Sequence, residues 1–254
     1  MSLHYQDEGQ GPAILLIHAF PLNHSMWSPQ IAALKDRYRV IAPDVRGFGK
    51  TPATSPWTLE QLGDDLYALL NSLQIKDCIL AGLSMGGYIA LPFYAKYGHL
   101  VSRLILADTR ARADNEMEKG GRTEMIAALE QSGAAILPDR MLPRLLKPNP
   151  SNDVVQEVRH IISDTTASAA IFALMAMRDR PDASTVLHRI SCPTLVIAGE
   201  HDAVTRLEEC RAMADTVSSG SFVVIPNAGH LSNLENPAAF NEALDAFLTQ
   251  TRAV

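Results

Sequence analysis

The sequence predicts an α/β architecture: a mostly parallel central sheet covered by helices on both faces and interrupted by a helical insertion. Three observations carry this. Apolar runs of strand length alternate with segments of helical period between residues 13 and 107. The alternation stops over 109–188, where only helical patterns and turns appear, and resumes at 194–198. Finally, 254 residues that are 47% hydrophobic can bury a full core without disulfides or a structural metal.

The elements follow in order. Ala13–Ile17 is a continuous apolar run, which suits a central strand covered on both faces. Residues 28–35 have helical spacing and lead into a strand at 39–42, followed by the turn Pro43-Asp44-Val45-Arg46-Gly47-Phe48-Gly49. Apolar residues at 59, 62, 66, 69, 70 and 73 predict a helix with Thr58 as N-cap. A strand at 78–81, a helix at 85–97 and a strand at 101–107 complete the first part, and right-handed crossovers make the sheet mainly parallel. Turns are expected at Gly120-Gly121, Pro148-Asn149-Pro150 and Arg180-Pro181-Asp182. After the strand at 194–198 come a helix at 208–217, a strand at 222–225 and a closing helix at 237–248 with Pro at its first turn. Residues 1–108 and 189–254 thus form the expected core, and 109–188 a helical cap over the strands' C-terminal ends, where open α/β sheets bind ligands.

Charge narrows the partners. The balance of 22 basic and 28 acidic residues gives a formal charge of −6 with no basic block, which argues against nucleic acid and anionic membranes. The first residues lack a basic region followed by an apolar stretch, and the run at 13–17 is too short to span a bilayer, so a cytoplasmic location is expected. Cys78, Cys192 and Cys210 form no CxxC pair and read as buried small residues. No GxGxxG or GxxxxGK follows a strand, and the histidines show no metal-ligand spacing, so neither a cofactor nor a metal is expected.

Directly after the strand at 78–81 stands Gly82-Leu83-Ser84-Met85-Gly86-Gly87, a G-x-S-x-G pattern in strand–turn–helix context. A serine on so tight a turn adopts strained angles, and its neighbours two positions away must be small. Its hydroxyl then projects, while the N–H of Met85 and the positive helix end face the same space and can stabilise an oxyanion. The plainer alternative is a helix-capping serine between two turn glycines. Serine needs a base, and His230, in the loop after the last strand, lies on the same rim. Three acids can orient it: Asp202 and Glu200 after the strand at 194–198, and Asp108 at the end of the strand at 101–107. Asp202 is favoured over Glu200 because the loop has left the strand there, though local composition barely separates the two, and Asp108 stays a rival on the same edge. The loop His18-Ala19-Phe20-Pro21 can supply the second oxyanion donor, the N–H of Phe20, with His18 organising the loop through its ring nitrogens.

These segments resemble the α/β-hydrolase superfamily, and within it the 3-oxoadipate enol-lactone hydrolases. The resemblance rests on His18–Pro21, Asp44–Gly49, the elbow Gly82–Tyr88, Ala107-Asp108-Thr109-Arg110-Ala111-Arg112-Ala113-Asp114, Gly199–Asp202 and Gly229–Glu235. It implies the α/β-hydrolase fold with a helical cap, and a triad of Ser84, Asp202 and His230 in the chain order serine, acid, histidine. Departures are His18-Ala19 where many relatives have His-Gly, Lys50-Thr51 after the glycine turn, and Asp202-Ala203-Val204-Thr205 in the acid loop. The implied activity is hydrolysis of a small-molecule ester or lactone through an acyl-serine. A general carboxylesterase or a perhydrolase stands beside it, as does a non-catalytic binding protein on the same fold. A dehalogenase is disfavoured because its nucleophile is a carboxylate.

Two readings concern substrate. The apolar helix at 167–177 fits a pocket wall or, more simply, packing. Arg110 and Arg178 lie closest to the ends of their elements, ahead of Arg112 and Arg180. An arginine there can grip a substrate carboxylate with two parallel hydrogen bonds, although Arg112 with Asp114 and Arg178-Asp179-Arg180 equally suit solvent-facing ion pairs.

Overall fold

The continuous apolar runs become the central strands of one sheet in the computed structural model, which describes residues 2–250. The strands are β1 (Tyr5–Glu8), β2 (Ala13–Ile17), β3 (Arg39–Pro43), β4 (Cys78–Leu83), β5 (Val101–Ala107), β6 (Thr194–Gly199) and β7 (Gly220–Ile225). Their spatial order is β1-β3-β2-β4-β5-β6-β7. All neighbours from β3 to β7 are parallel, and β1 alone runs antiparallel, against β3. Every residue of β2, β4 and β6 is buried, as strands covered on both faces require. β1 was not expected. Its sequence Tyr-Gln-Asp-Glu carries no apolar run, because an edge strand is held by backbone pairing and here by the Arg39–Asp7 ion pair at 2.6 Å.

Helices α1 (Ser28–Leu34), α2 (Leu59–Ser72) and α3 (Met85–Tyr97) lie among the first five strands. Thr58 caps α2 as expected, and Gln61 returns the bond to the Thr58 amide at 3.0 Å, closing a capping box. Between β5 and β6 come α4 (Glu116–Ser132), α5 (Leu137–Leu145), α6 (Asn152–Ser163), α7 (Ala167–Arg178) and α8 (Ser184–Leu187). After β6 come α9 (Leu207–Thr216), α10 (Ser232–Glu235) and α11 (Pro237–Leu248).

One expected turn is absent: Gly120 and Gly121 lie inside α4. Each glycine costs a helix roughly 1 kcal/mol relative to alanine. The Asn115–Glu118 capping box and the packing of α4 along α7 offset that cost. Turn composition alone does not register such tertiary support.

The chain leaves β2, adds β3 on one side and then places β4 on the other. The loops after β2 and β4 diverge at this reversal, which opens a crevice at the C-terminal edge. Ile17 pairs with Gly82, Leu83 with Ala107, and Gly199 with Ile225, so the loops that follow start at comparable heights. All three cysteines are buried, and burial pushes the Cys78 thiol up to about 12. Among the described residues, no single helix is long and apolar enough to cross a membrane.

Candidate active site

The turn from β4 into α3 is as tight as its glycines imply. A Cβ on Gly82 would stand 2.3 Å from the Gly86 carbonyl, and one on Gly86 would stand 2.2 Å from the Ile17 carbonyl. Ser84 sits between them at φ 55° and ψ −113°, a conformation that a non-glycine residue holds only where its surroundings impose it. Its amide donates to the Ala107 carbonyl at 2.9 Å, and its carbonyl accepts the Thr109 hydroxyl at 2.8 Å.

Three parallel strands deliver three groups to one line. His230 Nε2 lies 2.7 Å from Ser84 Oγ, and His230 Nδ1 lies 2.8 Å from Asp202 Oδ2. The other carboxylate oxygen of Asp202 accepts the amides of Val204 at 2.7 Å and Thr205 at 3.0 Å, and the Thr205 hydroxyl donates to Oδ2. Burial raises the Asp202 pKa, but the His230 ring and these donors outweigh it and hold the carboxyl below its ordinary range. Donation of Nδ1–H to this carboxylate leaves Nε2 to accept the serine proton, the tautomer that nucleophile activation requires.

The rival acids have other partners. Asp108 is fully buried, accepts the Gly199 amide at 2.7 Å and receives the Ser232 hydroxyl. Burial first, and then the nearby Asp202 charge, push its pKa well above the ordinary value. It joins the start of the acid loop to the segment just past His230. Glu200 accepts the Asn227 amide at 2.8 Å at the outer end of β7. Two supports escaped the sequence reading: Thr205, and Glu235, which accepts the Gly229 amide at 2.7 Å and the Lys147 amide at 2.9 Å. Glu235 closes the quoted Gly229–Glu235 motif, which was the available signal.

His18 organises its loop through both ring nitrogens. Nδ1 donates to the Ala19 carbonyl at 2.9 Å, and Nε2 accepts the Val45 amide at 3.1 Å. Burial lowers its pKa from 6.5 to about 4, outweighing the Ala19 bond. An unfolded chain therefore takes up this proton first as pH falls, and stability is lost between pH 6.5 and about 4. The shift corresponds to roughly 3 kcal/mol. Urea titrations at stepped pH should show that His18→Asn removes this part of the acid slope. An unchanged slope would mean that His18 binds its proton equally well in the native and unfolded chains.

Ser84 and His230 open on a cavity of about 820 Å³ between the strand ends and the 109–188 segment. Phe20 lines it from the loop after β2, and Met125, Met141, Leu174 and Met177 line it from the inserted helices. Leu174 and Met177 are also buried, so α7 packs and walls the cavity at once. The candidate arginines part company. Arg110 lines the cavity but is held by Glu118 at 2.8 Å and Asp114 at 3.3 Å. Arg112 pairs with both Glu118 oxygens, at 2.7 and 2.8 Å, and with Glu209 at 2.7 Å. Arg178 is not among the lining residues. It ends α7 and folds back on its neighbour Asp179 at 2.8 Å, as adjacent opposite charges at a helix end readily do. Arg180 stacks 3.9 Å over the Tyr88 ring and pairs with Asp114 at 2.8 Å. Arg144 and Arg206 also line the cavity, and both are exposed and form no ion pair with any described residue.

The chain matches the α/β-hydrolase fold family over residues 12–237. It is 31% identical to 3-oxoadipate enol-lactonase 2 of Acinetobacter baylyi, over 98% of this chain and 93% of that one. Among solved structures it is similar to a thermophilic esterase from Thermogutta terrifontis with malate bound, at 39% identity and TM-score 0.93, covering 97% and 92% of the two chains. The enol-lactonase from Burkholderia xenovorans LB400 superposes at TM-score 0.89 with 29% identity, over 98% and 96%. With the parallel sheet, the serine turn and these matches in agreement, the chain belongs to the α/β-hydrolase family.

Proposed function

We propose that this chain is a serine hydrolase of small carboxylic esters or lactones that bear a second, anionic group. The observation that carries the reading is the unbroken line Ser84–His230–Asp202 opening on the cavity. Ser84 Oγ attacks the substrate carbonyl as its proton passes to His230 Nε2, and the ionised Asp202 stabilises the imidazolium. The amides of Phe20 and Met85 are assigned to the oxyanion. Met85 opens α3, where first-turn amides have no carbonyl within the helix. His230 returns the proton to the leaving oxygen, which in a lactone remains tethered to the acyl group. It then takes a proton from water, which attacks the acyl carbon and releases Ser84.

The 109–188 segment acts as a cap, and its residues set substrate choice. The cavity lining sets Arg110, Arg112, Arg122, Arg144 and Arg206 against Asp114, Glu118, Asp182 and Glu209, and its two arginines without a carboxylate partner among the described residues favour an anionic ligand. Because acidic side chains already hold Arg110, Arg112 and, through Asp114, Arg122, the gripping role falls to Arg144 and Arg206. The malate bound to the Thermogutta terrifontis esterase supports an acid of this class.

The test is a panel of carboxylated lactones, neutral lactones and neutral short-chain esters. Wild type should prefer the carboxylated members. Arg144→Ala and Arg206→Ala should each raise KM for them about tenfold, the loss of one charged hydrogen bond, and leave neutral substrates unchanged. Equal turnover of the neutral panel, unaltered by either change, would make the enzyme a general esterase.

A further inference from the structure

No sequence spacing suggests a metal site, yet the fold gathers His4, His24 and Asp44, residues twenty positions apart in each step. One donor atom from each lies within 4.8 Å of the others. His4 precedes β1, His24 opens the 3-10 turn after the Phe20–Pro21 loop, and Asp44 follows β3. Both rings turn the same atom toward one carboxylate: His4 Nδ1 is 2.8 Å from Asp44 Oδ2, and His24 Nδ1 is 2.7 Å from Oδ1. The amides of His24 at 2.9 Å and Lys50 at 3.0 Å fix the carboxylate plane.

We infer that His4, His24 and Asp44 form a binding site for a divalent first-row transition ion such as Zn²⁺, distinct from the catalytic line. The first support is charge. The Asp44 side chain is 0% exposed, and no lysine or arginine pairs with it among the described residues. Four donors surround this carboxylate, the two ring nitrogens and the amides of His24 and Lys50, and a cation seated between the rings would add direct charge compensation. The second support is the donor set. Two imidazoles and one carboxylate suit zinc, and an exposed side leaves further positions to water. Around a tetrahedral ion with ligand bonds of about 2.0–2.2 Å, neighbouring donors stand roughly 3.3–3.6 Å apart, so each histidine–carboxylate spacing must open by about half an ångström within a cluster whose donor atoms all lie within 4.8 Å. The third is access, because the two histidine side chains are 33% and 20% exposed. The two backbone donors supply the outer support that orients a ligating carboxylate.

Coordination exchanges bonds without any redox step. In the hydrogen-bonded form each ring gives its Nδ1–H to Asp44. On binding, the proton resides on Nε2, and the Nδ1 lone pair goes to the ion. The site lies behind the oxyanion loop, since the Val45 amide next to Asp44 donates to His18 and His18 holds Ala19, the residue before Phe20.

The test uses tag-free, chelator-stripped protein. Competition against a chromogenic chelator should give one Zn²⁺ per chain, and Co²⁺ should develop a ligand-field absorption band. His4→Gln and His24→Gln should each weaken binding at least tenfold, whereas His201→Ala, at an exposed histidine on the acid loop, should leave it unchanged. X-ray absorption on the cobalt-loaded wild type should show two imidazoles with oxygen donors and needs no variant to fold. Zn²⁺ should also raise the Tm of wild type and not of the glutamine variants. Absence of saturable binding, binding that survives both substitutions, or a cobalt shell without imidazole would overturn the site and leave a purely hydrogen-bonded cluster.

Discussion

Replacing Ser84 with alanine should lower kcat on any accepted ester by about 10⁶, the loss expected when the nucleophile of such a set is removed. The protein should stay folded. Among the described residues the Ser84 side chain makes its one hydrogen bond to His230, while the elbow is held by backbone bonds and by the Thr109 hydroxyl on the Ser84 carbonyl. Alanine inherits the same positive φ without adding bulk. Thermal melting close to wild type with turnover lost is the expected pair of results. Turnover near the wild-type rate in pure mutant protein would remove serine from the chemistry.

Asp202→Asn should cost about 10⁴ in kcat, the scale found when an imidazole is trapped in the wrong tautomer. The Val204 and Thr205 amides both donate to Oδ1, so an asparagine there keeps its oxygen on them and turns its NH₂ toward His230 Nδ1. The ring must then accept at Nδ1 and carry its proton on Nε2, where it can no longer take the serine proton. Asp108→Asn should cost far less. Burial and the Asp202 charge already disfavour ionised Asp108, and an amide can still serve Gly199 and Ser232. Steady-state rates for the two variants decide the matter. The opposite ranking would move the acid to the end of β5.

The sequence was most legible where covalent pattern and local structure coincide. Five-residue runs without a polar position have few homes other than a doubly covered strand, and the glycines beside Ser84 permit little except a tight turn. The candidate serine, histidine and acids could therefore be set on one rim from the strand ends, the resemblance singled out Asp202 over Glu200, and the structure brings Ser84, His230 and Asp202 within hydrogen-bond reach of one another. The internal bonding of the loop after β2 was likewise readable, since His18 holds it through both ring nitrogens. Less could be read where tertiary partners decide. Tyr5–Glu8 becomes a strand only because β3 offers an edge, and Gly120-Gly121 stays helical because α7 supports α4. The arginines show this most clearly. Their proximity to element ends singled out Arg110 and Arg178, but whether a guanidinium is free depends on carboxylates far away in sequence. Glu118 and Glu209 hold Arg112, Asp114 and Glu118 hold Arg110, and Arg144 and Arg206 have no such partner among the described residues. His4, His24 and Asp44 were hidden for the same reason, since no spacing rule joins residues that three separate segments bring together.

Everything proposed for this site depends on Ser84 being activated by His230 and attacking an acyl carbon. Labelling with a fluorophosphonate, followed by peptide mass spectrometry, tests it most directly. One adduct per chain is expected, located on Ser84, absent in Ser84→Ala and strongly slowed in Asp202→Asn. An unlabelled wild type that nevertheless hydrolyses esters, or an adduct on another residue that persists in Ser84→Ala, would contradict it.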